Sequence, residues 1–369
     1  MAKAFGIITS SAEHKVEGMQ NYRSIGAFSF LGRYRIIDFP ISNMSNSNID
    51  RIQVYISSNP RSIVSTIGTG RHYNINSKRG NIQLCFPNES MVSAIYNTNI
   101  NAFIENLDKL KEQHEEYVVI APSCMVFKQD FDAFLQDHAK SGADVSVLYH
   151  KVTDGKTDYN HMNVVQLDGN RVTGITPDLC DKDEENICME CYVMTKDQLL
   201  ALIEQAQAIS SIYSLADVIN AKIGDLDVRA VEHTGFFAPI TSLKAYYRAN
   251  TALLDSEKAD TLFDSKWPIY TRTTDSCPTQ FFSGSEIKHS YISNGCLIKG
   301  TVQDSIIGRG VTIGKGAVVK NSVILAYTKI EDGAVIENQV VDKHSVITAG
   351  TKVVSDPDTI GYVRKRDIL

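Results

Sequence analysis

No stretch of this 369-residue sequence approaches the roughly 18 apolar residues needed to cross a bilayer, so a membrane-spanning helix is not expected. An excess of charge of one sign is also lacking. Thirty-seven Lys and Arg face 43 Asp and Glu, for a net charge of −6 and a pI near 5.9. That balance gives no bulk electrostatic pull toward nucleic acid or an anionic membrane. The opening Met1-Ala2-Lys3-Ala4-Phe5-Gly6-Ile7-Ile8 lacks the longer apolar core and small-residue cleavage site of a signal peptide, and reads as a buried first strand. Cysteine is sparse and odd in number, at seven. The pair in Cys188-Met189-Glu190-Cys191 has no second Cys or His pair nearby to make a zinc site. It reads as one small buried residue and one at a strand edge. A chain of this length needs no disulfide staples, so free thiols and a cytoplasmic location are expected. What is present is ordinary for a globular protein, 43 % hydrophobic and long enough for two domains.

Two textures divide the chain. Up to about residue 235, short apolar runs alternate with segments of helical period. Phe5 to Thr9, Ile52 to Ile56, Tyr117 to Ala121 and Asp144 to Tyr149 read as strands. Asn99 to Leu110 places Ile100, Phe103, Ile104 and Leu107 on one helical face, and Lys196 to Ala208 reads as another helix. This alternation predicts an α/β domain with a mainly parallel central sheet, its ligands at the carboxyl ends of the strands. A connection follows over 236–285. In it, Ser242 to Asp255 reads as one amphipathic helix and Trp267-Pro268-Ile269-Tyr270-Thr271 as extended chain, because Pro268 cannot continue a helix.

Over 286–369 the period becomes six. Ile307, Ile313, Val319 and Leu325 keep that step, as do Ile324, Ile330 and Ile336, and again Val341, Ile347 and Val353. Six is neither 3.6 nor 2. It is the hexapeptide step of a parallel β-helix, with the aliphatics inward and Gly308 and Gly314 at tight corners.

The segment Gly32-Arg33-Tyr34-Arg35-Ile36-Ile37-Asp38-Phe39-Pro40-Ile41-Ser42-Asn43 resembles, almost letter for letter, the G-K/R-Y/F-R-I-I-D-F-x-L-S-N signature of the ADP-glucose pyrophosphorylases (glucose-1-phosphate adenylyltransferases) of bacterial glycogen synthesis. Ala245-Tyr246-Tyr247-Arg248-Ala249-Asn250 is similar to the segment that closes that family's catalytic domain, and Trp267-Pro268-Ile269 to its linker. The resemblance covers essentially the whole chain. It implies a Rossmann-like GT-A nucleotidyltransferase domain over 1–235, a helix and extended linker over 236–285, and a left-handed parallel β-helix over 286–369. It also implies a chemistry. The phosphate of glucose 1-phosphate attacks the α-phosphate of ATP, which requires a phosphate cradle, Mg²⁺ held by carboxylates and a base pocket.

Each of those elements departs from the family pattern. Where the family carries G-G-x-G-T/S-R-L, this chain reads Ser10-Ser11-Ala12-Glu13-His14-Lys15-Val16. The glycines that let backbone N–H groups approach phosphates are gone. Glu13 adds a like charge, worth about 4 kcal/mol of repulsion at ~4 Å and surface dielectric. Lys15 stands in for the family arginine. Cys124 replaces the metal-binding aspartate, and a neutral thiol is a poor ligand for Mg²⁺. Asp217 keeps a second acidic position without its partner. Asp178 replaces the lysine for the sugar phosphate. The adenine-contacting stretch becomes Thr98-Asn99-Ile100-Asn101-Ala102, and in the activator region a lysine becomes Ile25 while Arg23 persists.

The resemblance therefore implies a non-catalytic, regulatory subunit of the GlgD type, found beside the catalytic subunit in Gram-positive bacteria. Ser10, Ser11, Glu13, Cys124 and Asp178 are its degenerate positions. Lys15, Asn101 and Asp217 line a residual pocket, and Tyr22, Arg23 and Arg35 are candidates for an anionic effector such as a sugar phosphate. No cofactor is expected, Mg²⁺ belonging to the catalytic partner rather than to Asp217. Assembly with that partner as a heterotetramer, or with copies of itself, is expected, and no binding to nucleic acid or membrane. Two other readings stand beside this one. One is a divergent but active adenylyltransferase relying on Lys15 and Asp217. The other is a hexapeptide acyltransferase using His344 or His289.

Overall fold

The computed structural model describes every residue except 1, 11–15, 17, 58, 88–97, 156–158, 160, 161, 178–181 and 211. Nine strands form the central sheet. Across it they run Asn81–Cys85, Arg51–Tyr55, Ala4–Thr9, Tyr117–Pro122, Glu185–Thr195, Val145–Val152, Val228–Glu232, Arg171–Pro177 and Asn163–Asp168. Glu185–Thr195 and Arg171–Pro177 run against the other seven strands, so the sheet points mainly one way. One large core lies on one face, with Phe28, Phe39 and Tyr246 in it; a second lies on the other, with Phe5, Phe103 and Leu202.

Local chemistry sets the helix ends. Asp130 caps the helix Phe131–Ser141 by accepting from the backbone N–H groups of Asp132 and Ala133, and Gly142 ends it at φ 67°. Two helices differ from the sequence reading. The apolar period over 99–110 spans a break at Asn106, with separate helices Asn99–Glu105 and Leu107–Lys111. The Asn106 amide donates to the carbonyls of Ala102 and Phe86, a local competition that periodicity does not register. The helix Leu243–Ala252 likewise stops short of Asp255, whose carboxylate caps the next helix, Ser256–Leu262.

The Cys pair also differs from expectation. Glu185–Thr195 is a central strand with a bulge between Cys188 and Tyr192, and Glu190 takes a left-handed φ of 51° within it. Both thiols are wholly buried, one in the core on each face of the sheet, so neither is at an edge. Among the described residues no helix is long and apolar enough to cross a membrane.

From Gln280 onward the chain winds into a left-handed parallel β-helix of three five-stranded sheets. The coils through Ser305, Ser322 and Gln339 take 17 residues each, as the bonds from Ser322 to Ser305 and from Gln339 to Ser322 show. Two steps of six are therefore followed by one of five. The inward series is Ile307, Ile313, Val319, then Ile324, Ile330, Ile336, then Val341 and Ile347. Leu325, one step of six after Val319, instead points out of the β-helix and into the core of the first domain. Gly308 and Gly314 are required by close approach, not by left-handed torsion. A Cβ on Gly314 would lie 2.4 Å from Asp332 Oδ1.

The family-like signature turns out to be a set of fasteners. Asp38, wholly buried, accepts from Tyr73 Oη (2.7 Å) and from the Arg35 amide (2.8 Å). Asn43 donates to the Phe127 carbonyl and accepts from Trp267 Nε1, each at 3.0 Å. Ser42 Oγ accepts from the Tyr270 amide. Asn250 accepts from the Leu31 amide, and Tyr247 Oη donates to the Asn321 carbonyl of the β-helix. Gly32, at φ 67°, abuts Ser293 and the Ile307 carbonyl, where any Cβ would collide. These contacts tie linker and β-helix to the first domain. Asn43→Ala is expected to cost about 1–3 kcal/mol in urea unfolding, because it strands a buried carbonyl and an indole N–H. It should also red-shift the emission of Trp267, the single tryptophan. An unchanged midpoint and spectrum would contradict the clamp.

Candidate functional site

The carboxyl ends of Ala4–Thr9 and Tyr117–Pro122 lie side by side, with Thr9 opposite Pro122 and the Ser123 amide bonded to the Thr9 carbonyl (2.8 Å). In an α/β sheet this is where a ligand belongs. Among the described residues the cavity at that edge holds ≈ 20 Å³, with Ser10, Ser24, Ser57 and Ser123 as well as Ile25 and Ile63 in its lining. Small-molecule sites usually offer roughly 300–1,000 Å³. Ser11, Glu13, Lys15 and Asp178 lie outside the described residues.

Cys124 sits in the turn after Tyr117–Pro122 and is wholly buried. Its carbonyl accepts from the Ile240 amide at 2.9 Å. The following strand, Met125–Phe127, pairs with Phe237–Pro239, setting Pro239 opposite Met125. The chain beside Cys124 thus reads Phe237, Ala238, Pro239, Ile240 and offers no carboxylate. Among the described residues no group of three His, Cys, Asp or Glu is placed to hold a metal ion. Mg²⁺ demands an octahedron of oxygens, so these residues do not fit it and no chemical step is derived through it. Nothing in the sequence marked Pro239 and Ile240 as the neighbours of Cys124; only strand pairing brings them there.

Asp217 takes part in a helix cap. It is the third residue of the helix Leu215–Ala221, and its Oδ2 accepts from the amide (2.8 Å) and hydroxyl (2.7 Å) of Ser214 while Ser214 Oγ caps the Asp217 amide. That is a reciprocal capping box. Its helix packs on Lys196–Ile209 and Arg171–Pro177. Asn101 lies in the first turn of Asn99–Glu105, where its amide is capped by Thr98 Oγ1 at 3.3 Å. His289 Nδ1 bonds Asp304 Oδ1 at 2.7 Å, and His344 stacks on Tyr327 with ring centres 5.3 Å apart. The two histidines therefore have separate partners at different corners of the β-helix.

Cations converge instead at the junction of the two domains. Arg23 is buried, and its Nη2 donates to both oxygens of Asp342, at 2.7 and 2.8 Å. Tyr362 Oη and the Lys343 amide donate to the same carboxylate, at 2.7 and 2.6 Å. Arg23 Nη1 is buried without a partner among the described residues. Arg35 bonds Ser29 Oγ, and burial, then the neighbouring charges of Arg23 and Arg309, lower its pKa against the pull of Asp38. Lys343 is pushed down to about 6, first by burial and then by Arg35 and Arg23. Tyr22 lies at the rim, 41 % exposed, with Lys365 Nζ 5.5 Å from its ring centre. The structure thus groups Arg23 and Arg35 with Lys343, which no motif announced. The only hint was a charged Asp342-Lys343 pair directly after an inward aliphatic.

Two measurements test this description. Cys277 is the exposed thiol among the described cysteines, whereas burial pushes Cys188 up to about 12 and also raises Cys191 well above its ordinary value. Brief alkylation at mild pH, read by peptide mass spectrometry, should mark Cys277 and spare Cys124, Cys188 and Cys191 until the chain is unfolded. Separately, burial pushes His233 down from 6.5 to about 4. The unfolded chain takes up that proton first, so the stabilising contribution is complete above about 6.5 and is lost as pH falls toward 4. His233→Gln should flatten the rise of unfolding free energy with pH across that window; an unchanged slope would refute it.

Comparison with known proteins agrees with this architecture. A nucleotidyl transferase family model matches residues 22–255, and a GlmU-like C-terminal hexapeptide model matches 278–361. The chain is 31 % identical over 324 residues to the glycogen biosynthesis protein GlgD of Geobacillus stearothermophilus, covering 86 % of this chain and 83 % of that protein. It is 29 % identical to a glucose-1-phosphate adenylyltransferase of Clostridium perfringens (strain 13 / Type A), covering 93 % and 88 %. It is 25 % identical to the GlgD of Bacillus subtilis (strain 168), covering 85 % and 82 %.

Proposed function

The chain belongs to the glucose-1-phosphate adenylyltransferase family of glycogen biosynthesis, with GlgD-type proteins among its relatives, and on that premise we propose that it is a non-catalytic, regulatory subunit. It assembles with the catalytic subunit as a heterotetramer and raises that subunit's conversion of ATP and glucose 1-phosphate into ADP-glucose. The observation that carries this reading is the surroundings of Cys124. Where the family's metal-binding aspartate is expected, this chain has a buried thiol beside Phe237, Ala238, Pro239 and Ile240.

The intact junction gives such a subunit something to do. A partner that prefers one state of the catalytic subunit shifts it toward that state. The effector reading falls on Arg23, Arg35 and Lys343. A sugar phosphate there would satisfy Arg23 Nη1 and return Lys343 to its charged form. Proton uptake should then accompany binding near neutral pH.

The purified chain alone is expected to make little or no ADP-glucose, and titrating it into the catalytic subunit should raise turnover and change the effector response. Strong synthesis by the chain alone at physiological substrate levels would sink the reading. Arg23→Ala should abolish the effector response while leaving co-purification intact. Arg23→Ala retaining the full response would remove the junction from the effector reading.

A further inference from the structure

A second cleft is lined in part by Phe237, Ala238 and Pro239. It lies between the helices Leu243–Ala252 and Ser256–Leu262 on one side and the 235–239 segment on the other, and holds ≈ 770 Å³. That falls within the range of small-molecule sites. Its wall combines three kinds of group. Phe236 and Tyr159 are aromatic and half-buried. Asp154, Asp255 and Glu257 are acidic, and Arg248 and Lys258 are basic. Helix Leu243–Ala252 faces the cleft with alanines at Ala245, Ala249 and Ala252, so its backbone stands close to whatever enters.

The aromatic side is held rigid. Phe237 lies parallel to Tyr159, with planes 10° apart and ring centres separated by 6.3 Å, and packs against His150 at 5.1 Å. His150 Nδ1 is bonded to His233 Nδ1 and to the His233 carbonyl, each at 3.1 Å, and His233 Nε2 lies 3.1 Å from the Lys128 carbonyl. Burial lowers the pKa of both imidazoles, so the pair adds no positive charge at neutral pH.

These features select among ligand classes. Three acids and two bases nearly cancel, with a small negative excess, so a phosphorylated ligand gains nothing from the field. An apolar ligand would desolvate the charged wall, Glu257 and Lys258 among it, without supplying hydrogen bonds in return. A pyranose ring meets both demands. Its C–H face packs on an aromatic ring, and its vicinal hydroxyls pair with carboxylate and ammonium groups such as Glu257 and Lys258. We propose that this cleft binds a neutral saccharide, either a free oligosaccharide or the end of a glucan chain. The inference stands on the cleft's own chemistry and is independent of the regulatory reading.

The test uses the full chain and maltotriose, with glucose 1-phosphate as the charged comparison, in saturation-transfer NMR. Maltotriose should give the stronger response. Thr261, exposed on Ser256–Leu262 and facing the cleft, offers a blocking variant that leaves the core untouched. Thr261→Trp should abolish the maltotriose signal, and Phe236→Ala should weaken binding about tenfold or more, with circular dichroism checking the fold of each. If Phe236→Ala fails to fold, Thr261→Trp decides alone. Retardation in glycogen-containing gels would assign a chain end as the source, and a maltotriose response without retardation a free oligosaccharide. No maltotriose response from the folded chain, a response that survives Thr261→Trp, or tighter binding of glucose 1-phosphate would each overturn the proposal.

Discussion

A single carboxylate, Asp342, draws the molecule together. It is wholly buried and takes hydrogen bonds from Arg23 in the first domain and from Tyr362 and the Lys343 amide in the β-helix. A buried ion pair adds little net stability over well-packed apolar groups, but removing one partner costs about 3–5 kcal/mol because the other is left charged and dry. Such a contact therefore specifies one docking geometry. Around it, Leu325, Val323 and Val340 of the β-helix share a core with Phe28, Phe39 and Tyr246. The ion pair sets the register and the apolar surface supplies the adhesion.

Much of the fold is legible in the sequence. Strand runs at Phe5 to Thr9 and Tyr117 to Ala121 and the six-residue step of the β-helix all follow from simple periodicity, and all correspond to observed elements. The misreadings have definite causes. Asn106 interrupts a helix through its own side-chain amide, which leaves the apolar period undisturbed. The five-residue third step reassigns Leu325 from the inside of the β-helix to the interdomain core, and a one-residue change is invisible when several aliphatics are adjacent. Cys191 lies in a central strand because the 185–195 segment pairs on both sides, and pairing partners distant in sequence leave no local trace.

The site was legible in a different way. The substitution at Cys124 stands in the sequence, but what surrounds it does not. Pro239 and Ile240 arrive from more than a hundred residues away through one strand pair. The grouping of Arg23 with Lys343 and Asp342 spans 319 residues for the same reason. Asp217 keeps the residue type of a family acidic position, and its Oδ2 accepts from the amide and hydroxyl of Ser214 in a helix cap. Residue type suggests what a side chain is able to do; its hydrogen-bond partners decide what it does.

The pattern that emerges is separation of framework from chemistry. Asp38, Ser42, Asn43 and Asn250 all work as fasteners, and all are buried with partners. Beside the buried Cys124 the paired strand carries Phe237, Ala238 and Pro239, and no carboxylate. The most direct test is a calorimetric titration of the chain alone with Mg-ATP. The account predicts no saturable heat beyond dilution. Tight, Mg²⁺-dependent, saturable binding would contradict it.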